Sequence, residues 1–167
     1  MKKLNKEKIE KIKNLKLLIM DVDGVLTDGG MYYFENGIEG KKFNTRDGMA
    51  VELWRNAGGK TMFITGEKLE LIKRRAEKLK IDYVLLGIKD KYAAVKEVLD
   101  KEGIKLEESV YIGDDVNDLP LLQKVGFSAC VTDGIYAVKK EVDYITKRKG
   151  GEGAVRELVD FMLKYKN

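Results

Sequence analysis

The sequence predicts an α/β fold built on a doubly wound parallel sheet, and two observations predict it. Short apolar runs recur along the chain, and such runs are typical of strands that are buried on both faces. Segments with apolar residues at helical spacing lie between them, and strands that alternate with helices form parallel sheets through right-handed crossovers. No repeat or linker divides the 167 residues, so we expect a single domain spanning 1–167.

The elements follow from this pattern in chain order. Strands are expected at the short apolar runs 15–20, 61–64, 83–86, 109–112, 127–131 and 144–146. Helices are expected at the amphipathic segments 47–57, 68–80, 91–102, 117–125 and 152–165. The segment 29–43 departs from the alternation, because Asn36-Gly37 stands between two β-rich runs. Asn-Gly in that setting is a strong hairpin signal, so we expect a β-hairpin flap at about 29–43.

Composition excludes several classes of site. The chain has no histidine, which rules out Ser-His, Cys-His and His-metal mechanisms. Its one cysteine, Cys130, forms no internal disulfide, and we expect it to be an inert core thiol. No apolar run approaches the roughly 20 residues needed to cross a bilayer, and no signal-type stretch follows the Lys-rich segment Met1 to Lys13. We therefore expect a cytoplasmic protein with no membrane partner.

The charge balance argues against nucleic acid as a partner. The net charge of +4 is a small excess of 32 basic over 28 acidic residues. The basic residues are dispersed, without the aromatic-rich stripe that single-stranded nucleic acid favours. A phosphorylated or carboxylated small molecule is the simpler partner for local positive charge.

Polar residues follow four successive strands, and ligands of open α/β sheets bind outside the carboxyl ends of the strands. These residues are Asp21 and Asp23, then Thr65 and Gly66, then Lys91, then Asp114, Asp115 and Asp118. Clustered carboxylates repel one another unless cations neutralise them. Because the ligands are hard oxygens, Mg²⁺ is the expected cation. Singly, each motif is also compatible with a turn or a helix N-cap; together they indicate a phosphate-handling site.

The combination of these motifs resembles the haloacid dehalogenase superfamily of phosphohydrolases over nearly the whole chain. The motifs are Asp21-Val22-Asp23-Gly24-Val25, Thr65, Lys91 and Gly113-Asp114-Asp115-x-x-Asp118. The resemblance implies a Rossmann-like fold and a covalent aspartyl-phosphate intermediate.

The resemblance also implies a role for each residue. Asp21 is the expected nucleophile, and Asp23 protonates the leaving oxygen and then activates water. Mg²⁺ is bound by Asp21, the backbone carbonyl of Asp23, and Asp114. Thr65, Gly66 and Lys91 bind the phosphoryl group. Asp115 and Asp118 support the metal or orient Lys91.

No cap domain fits between these motifs, because the intervening segments are filled by the elements predicted above. In the capless branch that the sequence resembles, a homotetramer covers the site, and the hairpin is an assembly element. The branch acts on 2-keto-3-deoxy sugar acid phosphates, so such a small molecule is the expected substrate.

Two groups within this branch are candidates. Arg46-Asp47-Gly48 resembles the group that hydrolyses 3-deoxy-D-manno-octulosonate 8-phosphate for lipopolysaccharide synthesis. Glu67, with Arg75 and Lys78 on the next helix, resembles the group acting on 2-keto-3-deoxynononate 9-phosphate and related sialic-acid-like esters. Because the positions that match Glu67 and Lys78 select the substrate in that second group, we expect the nine-carbon substrate. The eight-carbon substrate is the alternative.

Two functions from other classes remain open. A signalling receiver domain also combines clustered aspartates, a threonine and a lysine, although in a different chain order. A tetramerising assembly module is the non-enzymatic alternative, because similar domains are fused to sialic-acid nucleotidyltransferases. An assembly role alone does not require the set Asp21, Asp23, Thr65, Lys91 and Asp114.

Overall fold

A computed structural model describes residues 6–166 and contains the predicted parallel sheet. Six strands pair in parallel in the order β5-β4-β1-β6-β7-β8. They span Leu17–Asp21 (β1), Lys60–Ile64 (β4), Tyr83–Leu85 (β5), Ser109–Gly113 (β6), Phe127–Cys130 (β7) and Tyr144–Ile145 (β8). The register places Asp21 beside Ile64. All six predicted strands are confirmed.

Helices cover both faces of the sheet. They span Lys6–Lys13 (α1), Thr45–Asn56 (α2), Glu70–Leu79 (α3), Lys91–Glu102 (α4), Leu119–Leu122 (α5), Tyr136–Lys139 (α6) and Ala154–Lys166 (α7). Helices α2, α3, α4 and α7 agree with the predicted helices to within a few residues. Helices α1 and α6 were not predicted. Helix α5 is shorter than expected at both ends, and a 3₁₀ turn at Val116–Asp118 takes the place of its first residues.

The core lies on the two faces of β1, because successive side chains of a strand point to opposite faces of the sheet. Leu18 and Met20 pack with Trp54 and residues of α3 and α7 on one face. Leu17 and Ile19 pack with residues of α4, α5 and α6 on the other. All five residues of β1 are buried, so the position of Asp21 at its end is fixed by the centre of the fold.

The hairpin flap is present but has short strands. Tyr32–Tyr33 (β2) pairs antiparallel with Glu39–Gly40 (β3), and a bridge between Thr27 and Phe43 closes its base. Its apolar side chains are exposed rather than buried, Tyr33 to 69% and Phe34 to 56%. The flap therefore contributes little to the core of its own chain.

The structure also bears on the expectations from composition. Cys130 is buried, and burial raises the pKa of its thiol to about 12, as expected for an inert core cysteine. Within residues 6–166, no helix combines the length and apolar character that a bilayer crossing requires. Residues 1–5 of the Lys-rich N-terminal segment lie outside the described residues, and the cytoplasmic location stays a prediction.

Candidate active site

The turn after β1 places Asp21 and Asp23 at the carboxyl edge of the sheet. Asp21 is only 5% exposed, and its Oδ1 accepts a hydrogen bond from the Val22 amide at 2.8 Å. Gly24 has a φ of +79°, and a Cβ there would lie 2.2 Å from Asp114 Oδ2. Only glycine therefore allows this turn to approach the aspartates that follow β6.

Asp118 organises the opposite side of the site, and every one of its oxygens is engaged. Its Oδ2 accepts hydrogen bonds from the amides of Asp114 at 2.9 Å and Asp115 at 3.2 Å. Its Oδ1 accepts from Lys91 at 2.6 Å and from the Tyr111 hydroxyl at 2.5 Å. Asp118 is fully buried, and it fixes both the loop after β6 and the Lys91 ammonium.

Lys91 is a buried cation beside the acidic residues of the site. It begins α4, whose N-terminus is capped by Asp90, and its Nζ lies 3.0 Å from Asp21 Oδ1. Burial lowers the pKa of Lys91, but the negative charges of Asp21 and Asp118 outweigh burial and the net pKa is raised. The lysine is therefore charged at neutral pH and holds Asp21 in place.

The acidic residues form a group that fits a divalent cation. One carboxylate oxygen from each of Asp21, Asp114 and Asp118 lies within 4.8 Å of the others. Burial and then the charge of Asp118 raise the pKa of Asp21 well above its usual value. Burial and then Asp118 raise the pKa of Asp114 to about 6. Negative charge exceeds what Lys91 offsets, and the oxygen donors are the kind Mg²⁺ prefers.

Within that group the geometry separates ligands from supports. Asp118 already accepts four hydrogen bonds, whereas Asp114 is only partly buried and faces the turn at Gly24. Asp21 and Asp114 are thus better placed as metal ligands than Asp118. Asp115 is exposed and accepts from the Val116 amide at 2.6 Å, so it caps the 3₁₀ turn.

Asp23 and Thr65 complete this edge of the sheet. We call the edge the rim, and its residues are Asp21, Asp23, Thr65, Lys91, Asp114 and Asp118. The Thr65 hydroxyl donates to Asp23 Oδ2 at 3.3 Å and accepts from the Glu67 amide at 3.0 Å. Thr65 is 1% exposed, while Gly66 and Glu67 beside it are exposed. The structure therefore brings Asp21, Asp23, Thr65 and the metal-binding group together, with Gly66 and Glu67 at the edge.

The other two predicted substrate-binding residues lie elsewhere in this chain. Arg75 is half-buried; its Nη2 donates to the Asn44 carbonyl at 3.1 Å, and its guanidinium lies 5.5 Å from the Phe43 ring centroid. It therefore holds the end of the flap. Lys78 lines a groove with Gly58 and Asp82, at the amino edge of the sheet, because α3 runs back from the carboxyl edge.

A glycine-rich loop supports the turn after β1. A Cβ on Gly150 would lie 1.8 Å from the Gly24 carbonyl oxygen, so the loop packs backbone against backbone. Buried Asp47 accepts hydrogen bonds from the amides of Gly153 at 3.2 Å and Arg156 at 3.0 Å, which caps α7. The segment Arg46-Asp47-Gly48 thus meets the loop before α7, and the two anchor the end of the flap to the turn after β1.

Sequence reasoning missed two residues of the site. Tyr111 was predicted only as a strand residue, yet its hydroxyl contacts Asp118 and Lys91. Lys41 was treated as part of the flap, yet its Nζ lies 2.5 Å from Asp23 Oδ1. The hydroxyl group of Tyr111, on an otherwise apolar buried strand, could have indicated a polar partner nearby. No local signal marked Lys41.

Comparison with known proteins identifies the family of this site. The haloacid dehalogenase-like hydrolase family matches residues 87–158. A 3-deoxy-D-manno-octulosonate 8-phosphate phosphatase of Escherichia coli K12 is 41% identical over 155 residues, covering 93% of this chain and 82% of that protein. The corresponding phosphatase of Haemophilus influenzae is 37% identical, with 93% and 86% covered.

Solved structures agree with the sequence relatives. The 3-deoxy-D-manno-octulosonate 8-phosphate phosphatase of Moraxella catarrhalis, solved with magnesium, phosphate and KDO, superposes with a TM-score of 0.93 at 38% identity, covering 96% of this chain and 92% of that one. The Yersinia pestis phosphatase of the same name gives 0.94 at 37% identity, with 98% and 88% covered. The predicted fold, family and phosphatase class are confirmed. The predicted Mg²⁺ cofactor agrees with the carboxylate oxygens of Asp21 and Asp114 and with the magnesium in the Moraxella catarrhalis structure.

Proposed function

Because the chain belongs to the haloacid dehalogenase-like hydrolases and is a phosphatase of that family, we propose that it hydrolyses 3-deoxy-D-manno-octulosonate 8-phosphate with Mg²⁺ as cofactor. The observation that supports this substrate is the similarity, over most of both chains, to the Moraxella catarrhalis phosphatase that was solved with magnesium, phosphate and KDO. The whole chain then acts as one phosphatase domain.

This proposal takes the eight-carbon alternative over the nine-carbon expectation. The relatives compared above carry the octulosonate name, whereas none of them carries a nonulosonate name. Lys78, one of the two residues that favoured the nine-carbon ester, lines a groove at the opposite edge of the sheet. Glu67 stays at the rim, and its effect on selectivity remains a prediction.

The first half-reaction uses the buried aspartate. Asp21, oriented by Lys91 and by the Val22 amide, attacks phosphorus and forms an aspartyl phosphate. Asp21, Asp114 and the Asp23 carbonyl would hold Mg²⁺, which would supply positive charge that offsets the repulsion between carboxylate and phosphate. Lys91 and the Thr65 hydroxyl orient the phosphoryl oxygens, and Asp23 gives a proton to the departing sugar oxygen.

The second half-reaction regenerates the enzyme. Asp23, now a carboxylate, takes a proton from water as the water oxygen bonds to phosphorus. The bond from phosphorus to Asp21 then breaks and releases inorganic phosphate. One carboxyl group can serve as acid and then as base because the first step leaves it deprotonated.

We also propose that the protein acts as a homotetramer in which the flap lies against neighbouring subunits. The flap exposes a run of large apolar side chains in this chain, namely Met31, Tyr32, Tyr33, Phe34 and Ile38. A contiguous exposed apolar segment marks an interaction site. A second copy is the fitting partner, because the open rim beside the flap otherwise leaves the substrate uncovered.

Phosphate release from the eight-carbon and nine-carbon ketosugar acid phosphates, each with Mg²⁺ and with EDTA, tests the proposal. We expect Mg²⁺-dependent release with a higher kcat/KM for the eight-carbon ester. A higher kcat/KM for the nine-carbon ester would contradict the proposed substrate. Absence of release from every phosphate ester would instead favour the assembly-module alternative.

A further inference from the structure

Lys41 is a buried lysine whose ammonium contacts the proposed acid and base of the reaction. Its side chain is 1% exposed, and Nζ lies 2.5 Å from Asp23 Oδ1. The next residue, Lys42, has a side chain that is 60% exposed and pairs with Asp28 at 3.6 Å. Burying an ammonium is unfavourable unless it is paired, so the flap holds Lys41 inward for a specific contact.

The carboxyl group of Asp23 is held from two sides. Lys41 donates to Oδ1 at 2.5 Å, and the Thr65 hydroxyl donates to Oδ2 at 3.3 Å. Thr65 directly follows β4 and is fixed by the sheet, since its amide donates to the Leu85 carbonyl. Lys41 belongs to the flap. The shorter of the two contacts therefore comes from the less buried element.

We propose that Lys41 is a positioning residue that sets the orientation of the Asp23 carboxyl group for proton transfer. The proposal rests on the role given to Asp23 above. Lys41 engages Oδ1 at 2.5 Å, while Oδ2 accepts only the longer 3.3 Å hydrogen bond from Thr65, so Oδ2 is the oxygen that would exchange a proton with the substrate. The flap thus aligns the acid through Lys41.

The assignment fixes how the atoms move. As the bond between Asp21 and phosphorus forms and the bond from phosphorus to the sugar oxygen breaks, the Oδ2 proton passes to that oxygen. When water bonds to phosphorus and the Asp21 linkage breaks, a water proton returns to Oδ2. A misaligned carboxyl group slows both transfers.

The leaving group distinguishes this role from a purely structural one. An alkoxide leaving group needs a proton in the transition state, whereas p-nitrophenolate leaves without one. The ratio kcat/KM reports the steps up to phosphoryl transfer. Loss of Lys41 should therefore lower kcat/KM for an alkyl ester far more than for an aryl ester.

The experiment compares Lys41→Met and Lys41→Arg with the control Lys42→Met, using the octulosonate ester, glycerol phosphate and p-nitrophenyl phosphate. For Lys41→Met, we expect kcat/KM to fall by about 10²-fold on the alkyl esters, the usual contribution of general acid catalysis. On the aryl ester we expect a fall of less than about threefold, since that leaving group does not rely on the acid. Lys41→Arg should restore part of the loss, and Lys42→Met should match the wild type.

Equal losses on alkyl and aryl esters would overturn the positioning role and indicate a contact with the phosphoryl group or a structural effect. A second test combines Lys41→Met with Asp23→Asn, where the residual rate should not fall further. An additional loss there would show that Lys41 acts independently of Asp23. A wild-type enzyme that hydrolyses glycerol phosphate but not the octulosonate ester would contradict the proposed substrate alone.

Discussion

The catalytic rim and the flap are built in opposite ways. At the rim, Asp21, Lys91 and Asp118 are almost completely buried, and the Lys91 ammonium lies 3.0 Å from Asp21 and 2.6 Å from Asp118. In the flap, Tyr33 and Phe34 are more than half exposed, and each strand has two residues. The rim is stabilised by the fold that carries it, whereas the flap buries little of its own surface. The chain therefore holds Asp21, Lys91 and Asp118 in its own core, whereas its flap leaves apolar side chains exposed, as the subunit contact proposed above requires.

The largest effect expected at the rim is loss of the nucleophile. Asp21→Asn removes the attacking carboxylate but keeps the side-chain shape and the hydrogen bond from Val22. We expect kcat to fall by at least about 10³-fold, the scale at which a catalytic nucleophile contributes. Phosphate release and a urea melt measure activity and stability on the same preparation.

Asp100→Asn is the matched control, because Asp100 is exposed and, among the residues that the structure describes, pairs with Lys96 one turn away. It should leave kcat unchanged. Turnover by Asp21→Asn near the wild-type rate would remove Asp21 from the role of nucleophile and weaken the contrast between rim and flap.

A smaller but still large effect is expected on the free energy of unfolding when the Lys91 ammonium is removed. Lys91→Met leaves Asp21 and Asp118 facing each other without the ammonium that contacts both. Breaking one side of a buried ion pair costs about 3 kcal/mol or more. Urea unfolding at neutral pH in EDTA measures the loss, and Lys96→Met at an exposed pair should cause none. Equal stability of the two variants would mean that the rim does not depend on its buried charges.

The sequence predicted the rim better than the flap for a physical reason. Strands buried on both faces leave a continuous apolar signal, and the residues after them must meet at one edge of a parallel sheet. That Asp21, Thr65 and Asp114 lie at one edge of the sheet could therefore be predicted from their order along the chain. The contact of Lys41 with Asp23 depends on how far the hairpin folds back, which no periodicity encodes.

The substrate-binding predictions show the same limit. Arg75 and Lys78 were grouped with Glu67 through the resemblance to the nine-carbon group, with either one expected to bind the substrate carboxylate. A crossover helix between parallel strands runs away from the carboxyl edge at about 1.5 Å per residue, so residues beyond its first turns leave the rim. Arg75 accordingly supports the flap end through Asn44 and Phe43.

On the flap, the expected effect is on assembly rather than on the stability of the subunit. Phe34→Ser removes an exposed aromatic side chain that touches no core cluster. Losing an aromatic anchor from an interface costs about 2 kcal/mol, or about 30-fold in the dissociation constant. Sedimentation across a dilution series should show smaller species than the wild type, with activity falling in parallel.

Ile145→Thr is the control for that experiment, since Ile145 is 43% exposed on the edge strand β8, away from the flap. It should assemble as the wild type does. A Phe34→Ser protein with unchanged mass and activity at every dilution would show that the flap is not the assembly element.

The smallest expected effect concerns selectivity at the boundary between the two regions. Glu67 is exposed at the rim, and its amide donates to Thr65, so its side chain can meet the sugar without disturbing the phosphoryl site. Glu67→Arg replaces a group that repels the substrate carboxylate by one that binds it in bidentate fashion. We expect the ratio of kcat/KM values for the eight- and nine-carbon esters to rise by about tenfold, corresponding to about 1.4 kcal/mol of differential binding. Glu70→Arg, at the exposed start of α3, makes the same change of charge three residues along the chain. It should leave the ratio within about twofold, because exposed ion pairs contribute little. An unchanged ratio for Glu67→Arg would show that selectivity is set outside this rim. The flap of a neighbouring subunit would then be the next region to test for a contact with the sugar.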